Sequence, residues 1–501
     1  MPLHPATPTA SAMPPHPSDD PAPAETALAA LWRSAALPDD ALAWAALPGS
    51  GQVLPSSFDV STAAQAGIGA AALAAAWLWK LRTGQAQQVQ VDRAAATLEC
   101  TATFTIDGQA PDLWDKLSGL YACGAAVGQP GWVRVHANFA HHRDRALQVL
   151  GLPEGDTTAR DAVTQALQHW PATDFEQAVA DAGGVAAAAR SFTAWDAHPQ
   201  AQALAGQPLL SIRRIPGGDA PPRAWPSLAP ASPAGAQPLT GLRVLDLTRI
   251  LAGPVAGRCL AAHGADVLLV NGPHLPNISA IADTSRGKLS AQVDLRTVAG
   301  RAQLHGLAQG AHVFLQGYRP GALAAHGFSA EALAQRHPGI VVASLSAYGT
   351  SGPWAGRRGF DSLVQTATGL NLAEAQAAGT TTPKAQPVQI LDYSAGHLLA
   401  FGIQAALWRQ ATQGGSWEVS LSLAGVGAWL RALGQDARGL AAQPPSADPW
   451  MDTSPSGFGA GGPGVLRAMR HAAWLSATPP RWVRPSMPPG SHPPAWADTG
   501  A

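Results

Sequence analysis

Between residues 243 and 346 short aliphatic runs alternate with helix-length stretches, and this alternation restricts the fold more than any other feature of the chain. RVLDLT (Arg243 to Thr248) is followed by the turn AGP and a helical stretch to Ala262, and DVLLV (Asp266 to Val270) completes a strand–helix–strand unit. HVFLQ (His312 to Gln316) and IVVASLS (Ile340 to Ser346) return after further helical stretches. Continuously apolar strands joined by helices need cover on both faces, so this half of the chain is expected to be α/β with a parallel sheet.

The flanking sequence divides around that unit. Residues 1–25 are Pro-rich, lack the basic and apolar regions of a signal peptide, and are expected to be a disordered arm. Pro216 to Pro238 is dense in Pro and Gly and reads as a linker. It separates an N-terminal half, 26–215, from a second half, 239–436. Residues 437–501, rich in Pro, Gly and Trp, have little periodicity and are expected to form an irregular arm.

The halves share a repeat. Gly67 to Asp92 matches Phe401 to Ser422 in a helix, turn and strand pattern, with Gly84 aligned to Gly414 and Val89 to Val419. Asp59 aligns with Asp392 only through a three-residue indel. The apolar stretch from Ala63 to Leu81 is mostly Ala, interrupted by Gln65, Gly67 and Gly69, which argues for a buried helix rather than a membrane span.

Composition excludes several classes of function. With 32 Lys plus Arg against 33 Asp plus Glu, the chain has no field to hold nucleic acid or an anionic membrane, so neither is expected as a partner. An anionic ligand requires a local basic pocket. Cys100, Cys123 and Cys259 are too few and too dispersed for a disulfide framework or a thiolate cage, and they fit a reducing cytoplasm. His136, His141 and His142 lack a standard zinc spacing, so no metal is expected. AGP after the first strand is not the G-x-G-x-x-G turn of a dinucleotide redox enzyme.

Five segments carry the chemistry in order: GLRVLDLTRILAGP (Gly241 to Pro254), RGKLSAQVDLR (Arg286 to Arg296), GYRPGAL (Gly317 to Leu323), GFDSLVQ (Gly359 to Gln365) and QILDYSAGH (Gln389 to His397). Their order and spacing resemble the family III CoA-transferases, the CaiB/BaiF family. The resemblance implies a Rossmann-like parallel sheet, with a second partial copy of the fold in the N-terminal half. Gly131 to Gly151 and Ala194 to Ile215 are similar to segments that follow the catalytic domain in the family, so the order of parts here is reversed. The family also implies a homodimer and no bound cofactor, coenzyme A being a co-substrate with an organic acid.

By the same resemblance Asp392, in a short loop before a long helix, is the nucleophile. It attacks an acyl-CoA to give a mixed anhydride and then an aspartyl-CoA thioester. The helix N-terminus would keep its carboxylate ionised. An N-cap role for Asp392 is the competing reading. The turn at Ile250, Leu251 and Ala252, with the cations Lys288, Arg296, Arg319 and Arg358, would hold CoA and substrate. Asp361 is either a second active-site carboxylate or a turn residue.

The chain departs from the family at three positions. Leu251 replaces the Gln of formyl- and oxalyl-transferring members, pointing to an acid larger and less polar than oxalate. Gly272 and Ala325 stand where the family often has phosphate-binding Arg. Two alternatives follow from related proteins. An α-methylacyl-CoA racemase needs an imidazole where this chain has Phe360, and His397 on the following helix cannot be assumed to replace it. A non-catalytic acyl-CoA-binding protein is the other.

Overall fold

In the computed structural model, residues 23–225 and 235–497 are described; most of the expected N-terminal arm therefore lies outside the described residues. Pro23, Ala24 and Glu25, assigned to that arm from sequence, instead begin the helix Pro23–Ser34, whose apolar face is buried through Ala24, Ala27, Leu28, Leu31 and Trp32.

The centre is a seven-stranded sheet. Its order is Lys288–Gln292, Asp266–Asn271, Arg243–Leu247, Val313–Gln316, Val341–Ser346, Trp417–Ser422 and Ser211–Arg214. The first six strands are parallel. The last comes from the N-terminal half and pairs antiparallel at the edge, Ile212 opposite Val419. The expected α/β Rossmann-like sheet is present. Successive strands step outward from Arg243–Leu247 in opposite directions, toward Asp266–Asn271 and then toward Val313–Gln316. The loops at the carboxyl ends of those strands diverge there and leave a crevice where open α/β sheets take ligands.

The repeat is sharper than the sequence suggested. Helices Val60–Thr83 and Ile390–Gln413 each have 24 residues and are related by a constant offset of 330. That offset also relates Gly84 to Gly414 at the helix ends, Val89 to Val419 in the strands, and Arg93 to Leu423 at the starts of the next helices. The residues before the two long helices, Asp59 and Gln389, share nearly the same backbone angles (φ −79° for both, ψ 65° and 62°). Asp59 therefore corresponds to Gln389, not to Asp392, and no indel is needed; Thr62 occupies the position equivalent to Asp392. The two helices pack on each other, and equivalent residues meet: Ser56 Oγ donates to Gln386 Oε1 at 2.7 Å, and a Cβ on Gly67 would stand 3.8 Å from that of His397.

The copy is confined to this unit. The strand Val89–Val91 joins a separate three-stranded sheet with Ala45–Ala46 and Ala473–Leu475, while the rest of the N-terminal half builds a small sheet from Gly119–Cys123, Gly131–Val135 and Ala186–Ala188. Helix Val60–Thr83 is long and apolar enough to cross a membrane, but nearly all of it is buried in the protein core.

The C-terminal segment is not irregular. Met451–Gly459 and Gly462–Met469 form an antiparallel hairpin that pairs with Phe104–Ile106 of the N-terminal half, and Ala473–Leu475 pairs with Val89–Val91. Its Pro and Gly content hid the alternation that identifies strands: Leu466 and Ala468 point inward to Phe104 and Ala282, while Val465 and Arg467 point out. The described residues of the linker also pair with the sheet's surroundings. Gly218 and Ala220 accept from the amides of Ser416 and Gly415 at 2.8 Å each, ahead of the strand Trp417–Ser422.

Candidate active site

The crevice at the carboxyl ends of the central strands is a cavity of about 350 Å³. It is lined by Leu247, Arg249 to Ala252, Gly317 to Pro320, Leu345 to Ala347, Arg357 to Phe360 and Asp392, with Phe139, His141 and His142 arriving from the N-terminal half. A second cavity of about 150 Å³ lies beside it, lined by Trp114, His136, Asn138, Ile278, Asp361, Val388 and Tyr393 among others. Ile250, Leu251, Phe360 and Asp392 border both. Asp392 thus stands on the partition between a wide, partly cationic chamber and a narrower one with mainly apolar walls.

The turn that shapes the partition is conformationally unusual. Ile250 has φ 77°, a left-handed angle that a β-branched residue adopts only under constraint. Leu251, φ −135° and ψ −65°, precedes helix Ala252–Ala262. The constraint comes from below. Asp246 Oδ1 accepts from both the amide and the hydroxyl of Thr248, and its Oδ2 receives Lys288 Nζ at 2.9 Å. Gly257 makes room for that pair, since a Cβ there would lie 2.3 Å from Asp246 Oδ2 and 2.7 Å from Lys288 Nζ.

Lys288 is therefore not a ligand-facing cation: it is fully buried, and its ammonium is occupied by Asp246 and the carbonyl of Pro254 (2.8 Å). Arg296 is also elsewhere, exposed and paired with Asp294 at 2.7 Å. Leu251, Ala252, Arg319, Arg358 and Asp392 are brought together in the wide cavity.

Two cations were not singled out from sequence. Arg249, in the strand-to-helix turn, faces the cavity, and burial lowers its pKa. Arg357 also lines it but is tied to Glu176, whose backbone carbonyl accepts from it at 3.1 Å. Arg358 is exposed, and its pKa is lowered by burial of part of the side chain and by the neighbouring Arg319. Two guanidiniums that repel one another at a cavity mouth, with Arg249 deeper in and donating to the Pro276 carbonyl, give this end of the cavity a positive charge that can receive an anion such as a phosphate.

Asp392 is not in a loop and does not cap its helix. It sits in the first turn of helix Ile390–Gln413, after the N-cap Gln389, and is only 8% exposed. Asp361 takes the capping part: its Oδ2 accepts the amide of Asp392 at 2.9 Å, its Oδ1 accepts from Gln365 Nε2 at 2.5 Å, and the Leu391 amide also contributes. Burial raises Asp361 to about 7 despite those donors. Asp392 is pushed up as well, by burial and then by Asp361. The helix terminus was expected to favour an ionised Asp392; burial and the neighbouring Asp361 oppose that ionisation, and the terminal amides serve Asp361 instead.

The N-terminal half closes the site with aromatic and imidazole rings. His136 stacks on Phe360 with centroids 4.0 Å apart and planes at 10°. Burial, followed by Arg134, lowers its pKa to about 3, so the ring is neutral. His142 meets Phe360 edge-on and is likewise depressed to about 3 by burial. The segment HANFAHHRD drew notice for its histidines, but only the folded arrangement shows that it forms a wall of the site. His397 is buried in the same helix as Asp392, lowered to about 3 by burial, and borders neither cavity.

Residues 239–446 match the sequence profile of CoA-transferase family III. Over these residues the chain is similar to the family III CoA-transferases. The chain is 30% identical over 317 residues to the acetyl-coenzyme A transferase nodX of Hypoxylon pulicicidum, a match covering 60% of this chain and 53% of that protein. It is 35% identical over 211 residues to the probable fatty acyl-CoA transferase Rv3272 of Mycobacterium tuberculosis, covering 39% and 53%. A crystal structure of Rv3272 aligns over 39% of this chain and 58% of its own, at 34% identity and a TM-score of 0.37. The chain spans about half the length of these curated relatives. Within the matched residues, Asp392, the Leu251–Ala252 turn, Arg319 and Arg358 converge on one cavity, which the N-terminal half completes.

Proposed function

We propose that the protein transfers coenzyme A between an acyl-CoA and a free carboxylic acid, with Asp392 as the covalent nucleophile. The observation that carries this reading is the position of Asp392 on the partition between the two cavities. The wide cavity, with Arg249, Arg319 and Arg358, suits the phosphates and pantetheine arm of CoA, and the narrow one suits the acyl group. The Asp392 carboxylate adds to the thioester carbonyl, the CoA thiolate leaves with the electron pair of the C–S bond, and a mixed anhydride remains. The thiolate then attacks the aspartyl carbonyl and releases the acyl carboxylate, leaving aspartyl-CoA. An incoming carboxylate runs these steps in reverse.

The reaction needs Asp392 ionised. Its raised pKa makes the ionised form a more basic nucleophile than an ordinary carboxylate, and the arginines of the wide cavity favour that form. Leu251 and the surrounding Ile250, Ile278, Val388 and Phe360 favour an acid with an apolar body. No cofactor is part of this scheme. The reading includes a cytoplasmic setting and a homodimer; analytical ultracentrifugation tests the dimer, and a monomer would assign its two-fold contact to the internal helix pair.

Trapping tests the mechanism. The protein is mixed with pooled acyl-CoAs and then hydroxylamine, and the peptide containing Asp392 is examined by mass spectrometry beside Asp392→Ala. A hydroxamate on that peptide, absent from the variant, is expected. CoA binding without any adduct would sink the covalent scheme.

One observation favours a racemase as the second reading: His136 places an imidazole against Phe360, where the sequence position itself has none. A ring held near pKa 3 is a weak base, which favours transfer. Exchange of the acyl α-proton in deuterated water, lost in His136→Phe, would reverse that preference.

A further inference from the structure

Away from Asp392, three side chains from distant parts of the chain converge in the interior. Cys259 and His263 lie four residues apart at the end of helix Ala252–Ala262, on one face, and His471 comes from the C-terminal segment between the hairpin and the strand Ala473–Leu475. One donor atom from each lies within 4.8 Å of the others. Cys259 Sγ and His471 Nε2 are 3.7 Å apart. The ring of His263 is fully buried, and neither nitrogen has a hydrogen-bond partner. The same is true of His397, whose ring meets His471 edge-on at 6.2 Å.

Buried imidazoles without partners carry a desolvation cost that hydrogen bonding ordinarily offsets. Here the unpaired nitrogens surround a thiol. We propose that Cys259, His263 and His471 bind one borderline-soft divalent cation of the zinc class, with His397 as the candidate fourth donor.

The donor set is suited to it. Thiolate and imidazole select zinc over magnesium or calcium, and tetrahedral zinc places its ligand atoms about 3.3–3.6 Å apart. The 3.7 Å separation of Cys259 and His471 is close to that value. Binding releases the Cys259 thiol proton. It also changes the tautomer of His471: Nδ1 accepts the Ala473 amide at 3.1 Å, leaving the proton on Nε2, so ligation moves that proton to Nδ1 and breaks the amide contact. A cavity of about 720 Å³ lined by His471, Trp450 and Trp482 gives the ion a route in. The bound ion would pin the C-terminal segment to the helix that carries Leu251 and Ala252 at its start.

The test is cobalt titration of the untagged, metal-stripped full-length protein, followed by absorption spectroscopy. One equivalent giving tetrahedral d–d bands and a thiolate-to-cobalt charge-transfer band is expected, with zinc displacing it. Cys259→Ser should lose the charge-transfer band, and His263→Gln should weaken binding at least tenfold. Circular dichroism identifies any variant that has failed to fold. A folded parent protein without a tetrahedral spectrum overturns the proposal irrespective of the variants, as does an undiminished spectrum in the folded Cys259→Ser, His263→Gln double variant.

Discussion

Asp361 and the buried histidines give the protein opposing responses to pH. His136, His142, His397 and His471 are held near pKa 3 and His312 near 4, each chiefly by burial, below the value of about 6.5 for a free imidazole. Between those values the unfolded chain binds more protons, so stability should rise with pH up to about 6.5. Asp361 acts in the opposite sense. Its folded pKa of about 7 exceeds the unfolded value of about 4, so the folded state holds the extra proton and this contribution falls as pH rises through that window, by at most about 1.4 kcal/mol per pH unit. Urea unfolding of the parent and Asp361→Asn across pH 5 to 7.5 separates the two. The variant should gain on the parent as pH rises; a constant difference would mean that Asp361 is ionised throughout. That Asp392 belongs among the cavity-lining residues was legible at this scale because it stands in an intact motif. The upward push on its pKa was not, because it comes first from burial and then from Asp361, which lies 31 residues earlier in the chain and is brought beneath the helix only by folding.

Small residues set how closely the elements approach one another. A Cβ on Gly396 would come within 2.6 Å of the Ala252 carbonyl oxygen and 2.7 Å of Val255 Cβ, so Gly396 lets helix Ile390–Gln413 lie directly against the helix behind the Leu251 turn. Gly67, in the other copy, has nothing closer than His397 Cβ at 3.8 Å. Gly396→Ala should therefore destabilise by about 1–3 kcal/mol through overpacking and disturb the Ile250 turn. Gly67→Ala should be neutral or stabilise by up to about 1 kcal/mol through helix propensity. Thermal unfolding of the two variants checks the contrast, and equal effects would refute it. The parallel strands were legible because RVLDLT, DVLLV, HVFLQ and IVVASLS are buried on both faces and read as continuous apolar runs. The hairpin Met451–Gly459 with Gly462–Met469 was not, since half its residues face solvent and Pro455, Gly457 and Gly464 interrupt the alternation. Lys288 shows the same limit in a side chain: sequence identifies a cation, and only the fold reveals Asp246 already beside it.

At the scale of the molecule neither half stands alone. The N-terminal half gives the central sheet an edge strand, the long helix Ile390–Gln413 its packing partner, and the two cavities the walls His136, His141, His142 and Phe139. Residues 236–436 expressed alone should be insoluble or aggregate, and co-expression with 1–225 should restore material that elutes as a single species in size-exclusion chromatography. A soluble, monodisperse isolated domain would contradict this interdependence. The 330-residue offset has a further consequence. Two identical subunits related by a dyad must place the same amino acid on both sides of the axis, so any change there is made twice and must suit itself. Here both sides are encoded separately in one gene. Gly67 can face His397, Ser56 can face Gln386, and Thr62 can stand where the other copy has Asp392. One lobe is thereby free to specialise as a wall while the other keeps the buried carboxylate of Asp392, an asymmetry that a symmetric pair of identical chains cannot encode.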